Sequence, residues 1–205
     1  IAILTSLVCG RQVDFEDIHT EGITHISATD IKYAKAMGRA IKLLATSKKT
    51  DGGYVAMVAP FLLPKEHPLY NVNGVFNAIF VRGNVLGDAM FYGSGAGKLP
   101  TASAVVADVV DEAKHLNKNV MTMWESEKVE LFPIEETSKR FFVRISGDAE
   151  AMKPHLESKF GAIDVVKVEK LANEFGFVTG VMTEGEYSRN AAEFPGILHM
   201  LRIEE

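Results

Sequence analysis

Between residues 40 and 92 the apolar side chains stop recurring at helical spacing. They alternate or run together in four short segments, a pattern that leaves this stretch little choice but paired strands. Segments 40–47 and 54–63, the latter closed by Pro64, flank a turn at 50–53. Segments 75–81 and 85–92 are joined by Arg82, Gly83 and Asn84, residues suited to a tight connection. The four segments predict one antiparallel sheet covered by helices on one face. Phe76, Ala78 and Phe80 fall on one side of the third segment and Val75, Ile79 and Val81 on the other, so the second face also needs a cover, and a subunit partner is the simplest one.

Helical patterns flank these strands. The opening residues 1–8 read as the inside of an apolar helix, which Gly10 ends as a left-handed cap, and the sequence is therefore expected to continue a longer protein. After a polar connection at 13–22, Ser27 and Asp30 have capping-box spacing ahead of Ile31, Ala34 and Met37. Beyond the strands, Ala102, Val105, Val106, Val109, Val110, Ala113 and Leu116 lie on one stripe of an amphipathic helix that ends at 117–119. Residues 121–138 read as a linker. The remainder follows a βαββαβ plan, with strands at 140–145, 163–171, 175–182 and 197–203 and helices at 149–160 and 187–194. Pro154 is expected to delay or bend the first of these helices. The fold class is α+β, divided as 1–120, a linker at 121–138 and a small domain at 139–205.

Composition removes several functions. A net charge of -5 with dispersed Lys and Arg residues provides no basic face for nucleic acid. No apolar run reaches the roughly 20 residues needed to span a bilayer. Cys9 is the only cysteine, so neither an internal disulfide nor a cysteine metal cage is available, and a reducing, cytoplasmic setting is expected.

Gly93-Ser94-Gly95-Ala96-Gly97 is the best candidate for chemistry, because a glycine-rich turn feeding a helix lets backbone N–H groups approach an anion or a cofactor edge. It is not the dinucleotide G-x-G-x-x-G, whose sixth position is Lys98. It is not a P-loop either, since Tyr92 stands at the first glycine and Leu99 follows the lysine. Pattern alone leaves two readings, a structural turn and a ligand contact. His67 lies in a loop at a strand end, where a surface role competes with a functional one. His19 and His25 flank Glu21 without zinc-ligand spacing, so no metal site is expected. Asp14, Glu16 and Asp17 read as a solvated turn.

Three segments together resemble the homoserine dehydrogenase family. They are His19-Thr20-Glu21-Gly22-Ile23 followed by Ile26 to Ala34 in an Ile-x-x-x-Asp-Ile-x-x-Ala run, Asn71-Val72-Asn73-Gly74-Val75-Phe76-Asn77-Ala78, and Phe91-Tyr92-Gly93-x-Gly95-Ala96-Gly97 leading to Pro100-Thr101-Ala102-Ser103-Ala104-Val105. The resemblance covers residues 1 to about 118. It implies an NAD- or NADP-dependent interconversion of aspartate 4-semialdehyde and homoserine, on the route to threonine, methionine and isoleucine.

In the family, the Rossmann domain and the lysine that serves as acid precede the segment resembling residues 1–10. The resemblance therefore implies no catalytic residue in this chain, no activity for it alone and no tight cofactor binding. It points to Gly97 as the first cofactor contact, supported by Gly93 and Gly95, to His67 at the edge of the active site, and to a homodimer formed through the antiparallel sheet. Residues 139–205 resemble an ACT domain, a module that binds amino-acid effectors. The usual Asp-x-Pro-Gly turn is here Ser146-Gly147-Asp148, so Gly147 and Asp148 are either effector contacts or a plain turn and helix cap. Competing readings of the chain are an amino-acid-binding regulatory module and a purely structural dimerisation piece.

Overall fold

A computed structural model describes residues 1–119, 121, 124–169, 171 and 173–205. Helix α1 (Ala2–Cys9) ends on Gly10 at φ 73°, the left-handed cap predicted above. Strand β1 (Arg11–Gln12), a single 3-10 turn (Phe15–Asp17) and β2 (His19–Thr20) lead to α2 (Ala28–Ala36). At its start Ser27 and Asp30 form both halves of a capping box. Next come β3 (Arg39–Thr50) and β4 (Gly53–Pro64), paired antiparallel from Arg39↔Pro64 to Thr50↔Gly53.

Two compact units are present, one of Ile1–Lys65 with Trp124–Glu205 and one from Glu66 to Met123. These units cut across the division expected from sequence. The smaller unit holds β5 (Phe76–Gly83), β6 (Gly87–Ser94) and α3 (Lys98–Lys114). Helix α3 has the expected span, and Asn117 just beyond it adopts φ 64°. Its apolar stripe is open, however, and no residue of α3 is buried.

In the larger unit β7 (Glu125–Lys128) pairs parallel with β1, and Val129 N donates to Gln12 O at 2.8 Å. The expected linker is thus integrated into the fold over its described residues 124–138; residues 122 and 123 lie outside the description. A 3-10 turn (Ile134–Glu136) precedes β8 (Ser138–Ser146), α4 (Ala149–Phe160), β9 (Asp164–Val166), β10 (Glu174–Val178), β11 (Met182–Thr183), α5 (Glu184–Ala191) and β12 (Ile197–Ile203). The βαββαβ order holds, with the two-residue β11 added between β10 and α5. The strand expected over 163–171 is shorter, and residue 170 within it lies outside the description. Helix α4 starts at Ala149 and continues through Pro154, so the late start is not found. Asp148 caps it, and the carbonyl that Pro154 leaves without a helical donor belongs to exposed Glu150, where water can serve it.

The four segments predicted as one sheet are split. Strands β5 and β6 pair only with each other, whereas β3 and β4 join an eight-stranded sheet ordered β2-β4-β12-β8-β10-β9, with β3 on β4 and β11 on β8. The reason lies in β4: Met57, Ala59, Phe61, Leu62 and Leu63 are all buried, so this strand needs neighbours on both edges. β3 supplies one. On the other edge β12 pairs parallel through Arg202↔Phe61 and Ile203↔Leu62, and β2 through His19↔Met57.

Strand β8 is also buried on both faces. Phe141, Val143 and Ile145 join Leu156 and Phe160 of α4 and Tyr187 of α5, while Phe142 turns to the opposite face with Tyr33 of α2, Leu201 and Ile203. Each such side chain contributes roughly 1.5–3 kcal/mol when fully buried. Helices therefore sandwich this part of the sheet, with α2 on one face and α4 and α5 on the other.

At the packed centre, a Cβ on Gly176 would stand 2.5 Å from Phe142 Cε2 and 3.1 Å from Tyr33 Cδ1. Both rings are held in the core. Gly176→Ala should lower stability by about 1–3 kcal/mol through overpacking. A fall in the urea midpoint at constant m-value would show it.

Candidate functional site

Strand β6 runs into the glycine loop by pairing Gly93 with Asn77 and Ser94 with Phe76. The three glycines have different local reasons. Gly97 is the N-cap of α3 at φ 120° and ψ 151°, a backbone conformation that side chains disfavour, and no side chain caps this helix. At Gly95 a Cβ would collide with the Asn77 side chain, so hairpin packing accounts for it. A Cβ on Gly93 would meet nothing within 4 Å. The loop therefore presents uncapped backbone at the start of a 17-residue helix, where N–H groups and the helix dipole favour an anionic or electron-rich group. These features suit a nucleotide edge, with Gly93 and Gly97 able to approach it closely.

His67 lies in the same smaller unit. Its Nδ1 accepts from Leu69 N at 3.1 Å, and its ring meets Phe80 edge-on at 5.7 Å. The neutral ring then carries its proton on Nε2.

In the larger unit, Gly147 sits at φ 133° between β8 and α4, with its N–H donating to Asn173 O at 2.8 Å. Met152 packs where a Cβ would go. Asp148 Oδ1 accepts from Ala151 N at 3.0 Å, so its carboxylate is engaged as a helix cap.

The acidic turn is ion-paired: Lys128 Nζ reaches Asp14 at 3.0 Å and Asp17 at 2.8 Å. Hydrogen bonds from Gln12 and Lys128 lower the Asp14 carboxyl. Among the described residues, no group of three or more His, Cys, Asp or Glu is arranged to hold a metal, and no helix is long and apolar enough to cross a membrane.

Two buried arginine clusters escaped the sequence reading. Arg202 of β12, 3% exposed, grips Glu184 at the start of α5 through Nε (2.6 Å) and Nη2 (2.9 Å), and Glu21 through Nη1 (2.8 Å) and Nη2 (2.7 Å). His19 Nε2 touches the same Glu21 Oε1 at 2.5 Å. Burial opposes ionisation of Glu21, but hydrogen bonds from Arg202 and His19 outweigh it and bring the carboxyl down to about 2. In the second cluster Arg144 of β8 donates to Asp30 at 2.7 Å and to Glu174 at 3.2 Å, and His199 Nδ1 stands 3.0 Å from Asp30. A charged residue enclosed by apolar neighbours, as in Leu201-Arg202-Ile203, was the available signal, because arginine is rarely buried unless paired.

Residues 1–110, a span that contains both the His19–Glu21 segment and the glycine loop, match the family model described as homoserine dehydrogenase. The chain belongs to the homoserine dehydrogenase family. A homoserine dehydrogenase of Synechocystis sp. is 40% identical over 194 residues, covering 88% of this chain and 44% of the relative. One from Neisseria gonorrhoeae is 32% identical over 207 residues, covering 97% of this chain and 45% of the relative. The crystal structure of a homoserine dehydrogenase from Thiobacillus denitrificans superposes with a TM-score of 0.81 at 27% identity, over 100% of this chain and 51% of that one. The chain thus spans about half the length of these homoserine dehydrogenases.

Proposed function

We propose that this chain serves as part of a homoserine dehydrogenase that interconverts aspartate 4-semialdehyde and homoserine with NAD or NADP, in the cytoplasm, on the route to threonine, methionine and isoleucine. The family match over residues 1–110, with an uncapped glycine loop inside it, carries this reading. The nicotinamide, when bound, supplies or accepts the hydride. This chain's part is to lay the backbone of Gly97, supported by Gly93 and Gly95, against the nucleotide at the start of α3. His67 borders the substrate mouth. The proton donor belongs to the half of the family's chain that this one does not match.

The test has two arms. Alone, the 205-residue chain should show no NAD- or NADP-dependent oxidation of homoserine. Exchanged for the matching half of the Synechocystis enzyme, it should restore turnover, and Gly97→Val in that chimera should raise the nucleotide KM at least tenfold. A folded chimera without turnover, or turnover by the chain alone, would overturn the assignment.

We further propose a homodimer through the antiparallel strands. Phe76, Ile79, Val81, Phe91 and Tyr92 of the β5–β6 ribbon are all exposed, more apolar surface than a two-stranded ribbon leaves to water without a partner. A second reading concerns residues 139–205. Their order β12-β8-β10-β9 and the positive φ of Gly147 support an ACT-like module that binds an amino acid. Calorimetric titration with threonine and methionine tests it, and no heat from either would leave these residues a structural role.

A further inference from the structure

The segment around His19 is weakly held by backbone. Strand β2 has two residues, His19↔Met57 and Thr20↔Val58, followed by one bond from Glu21 N to Val58 O at 2.7 Å. The next stretch, 22–25, is not strand or helix, and regular structure resumes only at the Ser27 cap. Against this background, the side-chain grip on Glu21 comes from the far end of the chain, since Arg202 lies outside the family match and Glu21 inside it.

We propose that Glu21 and Arg202 form a detachable latch by which the C-terminal βαββαβ module positions the 19–26 segment. The asymmetry of the cluster carries the argument. Arg202 and Glu184 are buried and bonded to each other through two contacts within the module, while the Glu21 and His19 side chains are 36% and 41% exposed. Releasing Glu21 leaves Arg202 paired with Glu184, so no charge is stranded in the interior. The released carboxylate also keeps a partner on its own segment, because His19 already shares its Oε1. Opening is therefore a local event. Opening at Glu184 instead would strand a buried carboxylate. Arg202 is a positioning residue in this scheme, and the latch stands whether or not the chain takes part in hydride transfer.

Hydrogen exchange on the 205-residue chain tests the latch. Glu21→Gln should speed exchange of the amides at 19–26 at least tenfold while those of α4 keep their wild-type rates, and Glu21→Asp, which keeps the charge, should restore most of the protection. Arg202→Lys keeps the charge but loses the planar fork, and should loosen 19–26 in the same way. Unchanged exchange at 19–26 in Glu21→Gln would overturn the proposal. So would an equal rise in α4, which would make the contact a general stabiliser and not a latch.

Discussion

Arg144→Met should destabilise the larger unit by about 3–5 kcal/mol, the cost expected when one partner of a buried ion pair is removed. Asp30 is 1% exposed, with Oδ2 accepting from Ser27 N and Ser27 Oγ and Oδ1 accepting from Arg144. The same carboxylate therefore caps α2 and ties it to β8. Without the guanidinium, Asp30 and Glu174 remain with a deficit of positive charge in a packed region, and methionine fills the space without relieving it. Denaturant titration should show the loss.

The acid limb of stability provides a second readout of the same substitution. Burial opposes ionisation of Asp30, but the adjacent His199 ring and hydrogen bonds from Ser27 and Arg144 together outweigh it and hold the carboxyl below the usual aspartate range. A depressed folded-state pKa stabilises fully above the unfolded value and loses that contribution as pH falls through the lower, folded one. Arg144→Met should raise the folded value toward the unfolded one, so less stability is lost per pH unit on this limb. The variant, which starts with less stability, should unfold at higher pH along a shallower acid limb. A variant with an unmoved acid limb would count against this account.

The other large effect is expected at Phe160. Phe160→Ala should cost about 3–5 kcal/mol, since a fully enclosed aromatic is replaced by a cavity. Its ring lies 5.4 Å from Phe177, 5.6 Å from Phe194 and 5.9 Å from Tyr187, so it joins α4 to β10 and to the α5 region. The core collapses poorly around such a gap because its neighbours are themselves rigid rings. Phe160→Leu should recover a good part of the loss, and calorimetric unfolding of the two variants should separate them. Equal stability of alanine and leucine variants would mean that the site relaxes freely.

Much of the local structure was legible because it depends on neighbours in sequence. Gly10, the Ser27–Asp30 capping box, the 40–63 hairpin and the span of α3 each follow from short-range geometry. The partner of each hairpin was not legible. Both hairpins show strand periodicity, but only the burial of β4 on both faces decides that it takes β12 on its second edge, and that choice depends on residues more than a hundred positions away. The glycine loop stood out because Gly97 needs its positive φ locally. Arg144 and Arg202 did not, because their carboxylate partners Asp30 and Glu21 are 114 and 181 residues distant in the chain.

The seam between β4 and β12 bears on how this protein can be dissected. A cut near residue 137 would separate the pairs Arg202↔Phe61 and Ile203↔Leu62, leaving in each piece a short unpaired stretch of backbone beside buried apolar side chains. Such pieces would search for substitutes, in other copies or in one another, so truncations there should yield swapped or aggregated material. Engineering that respects this continuity would graft the 124–205 stretch only together with the first 65 residues.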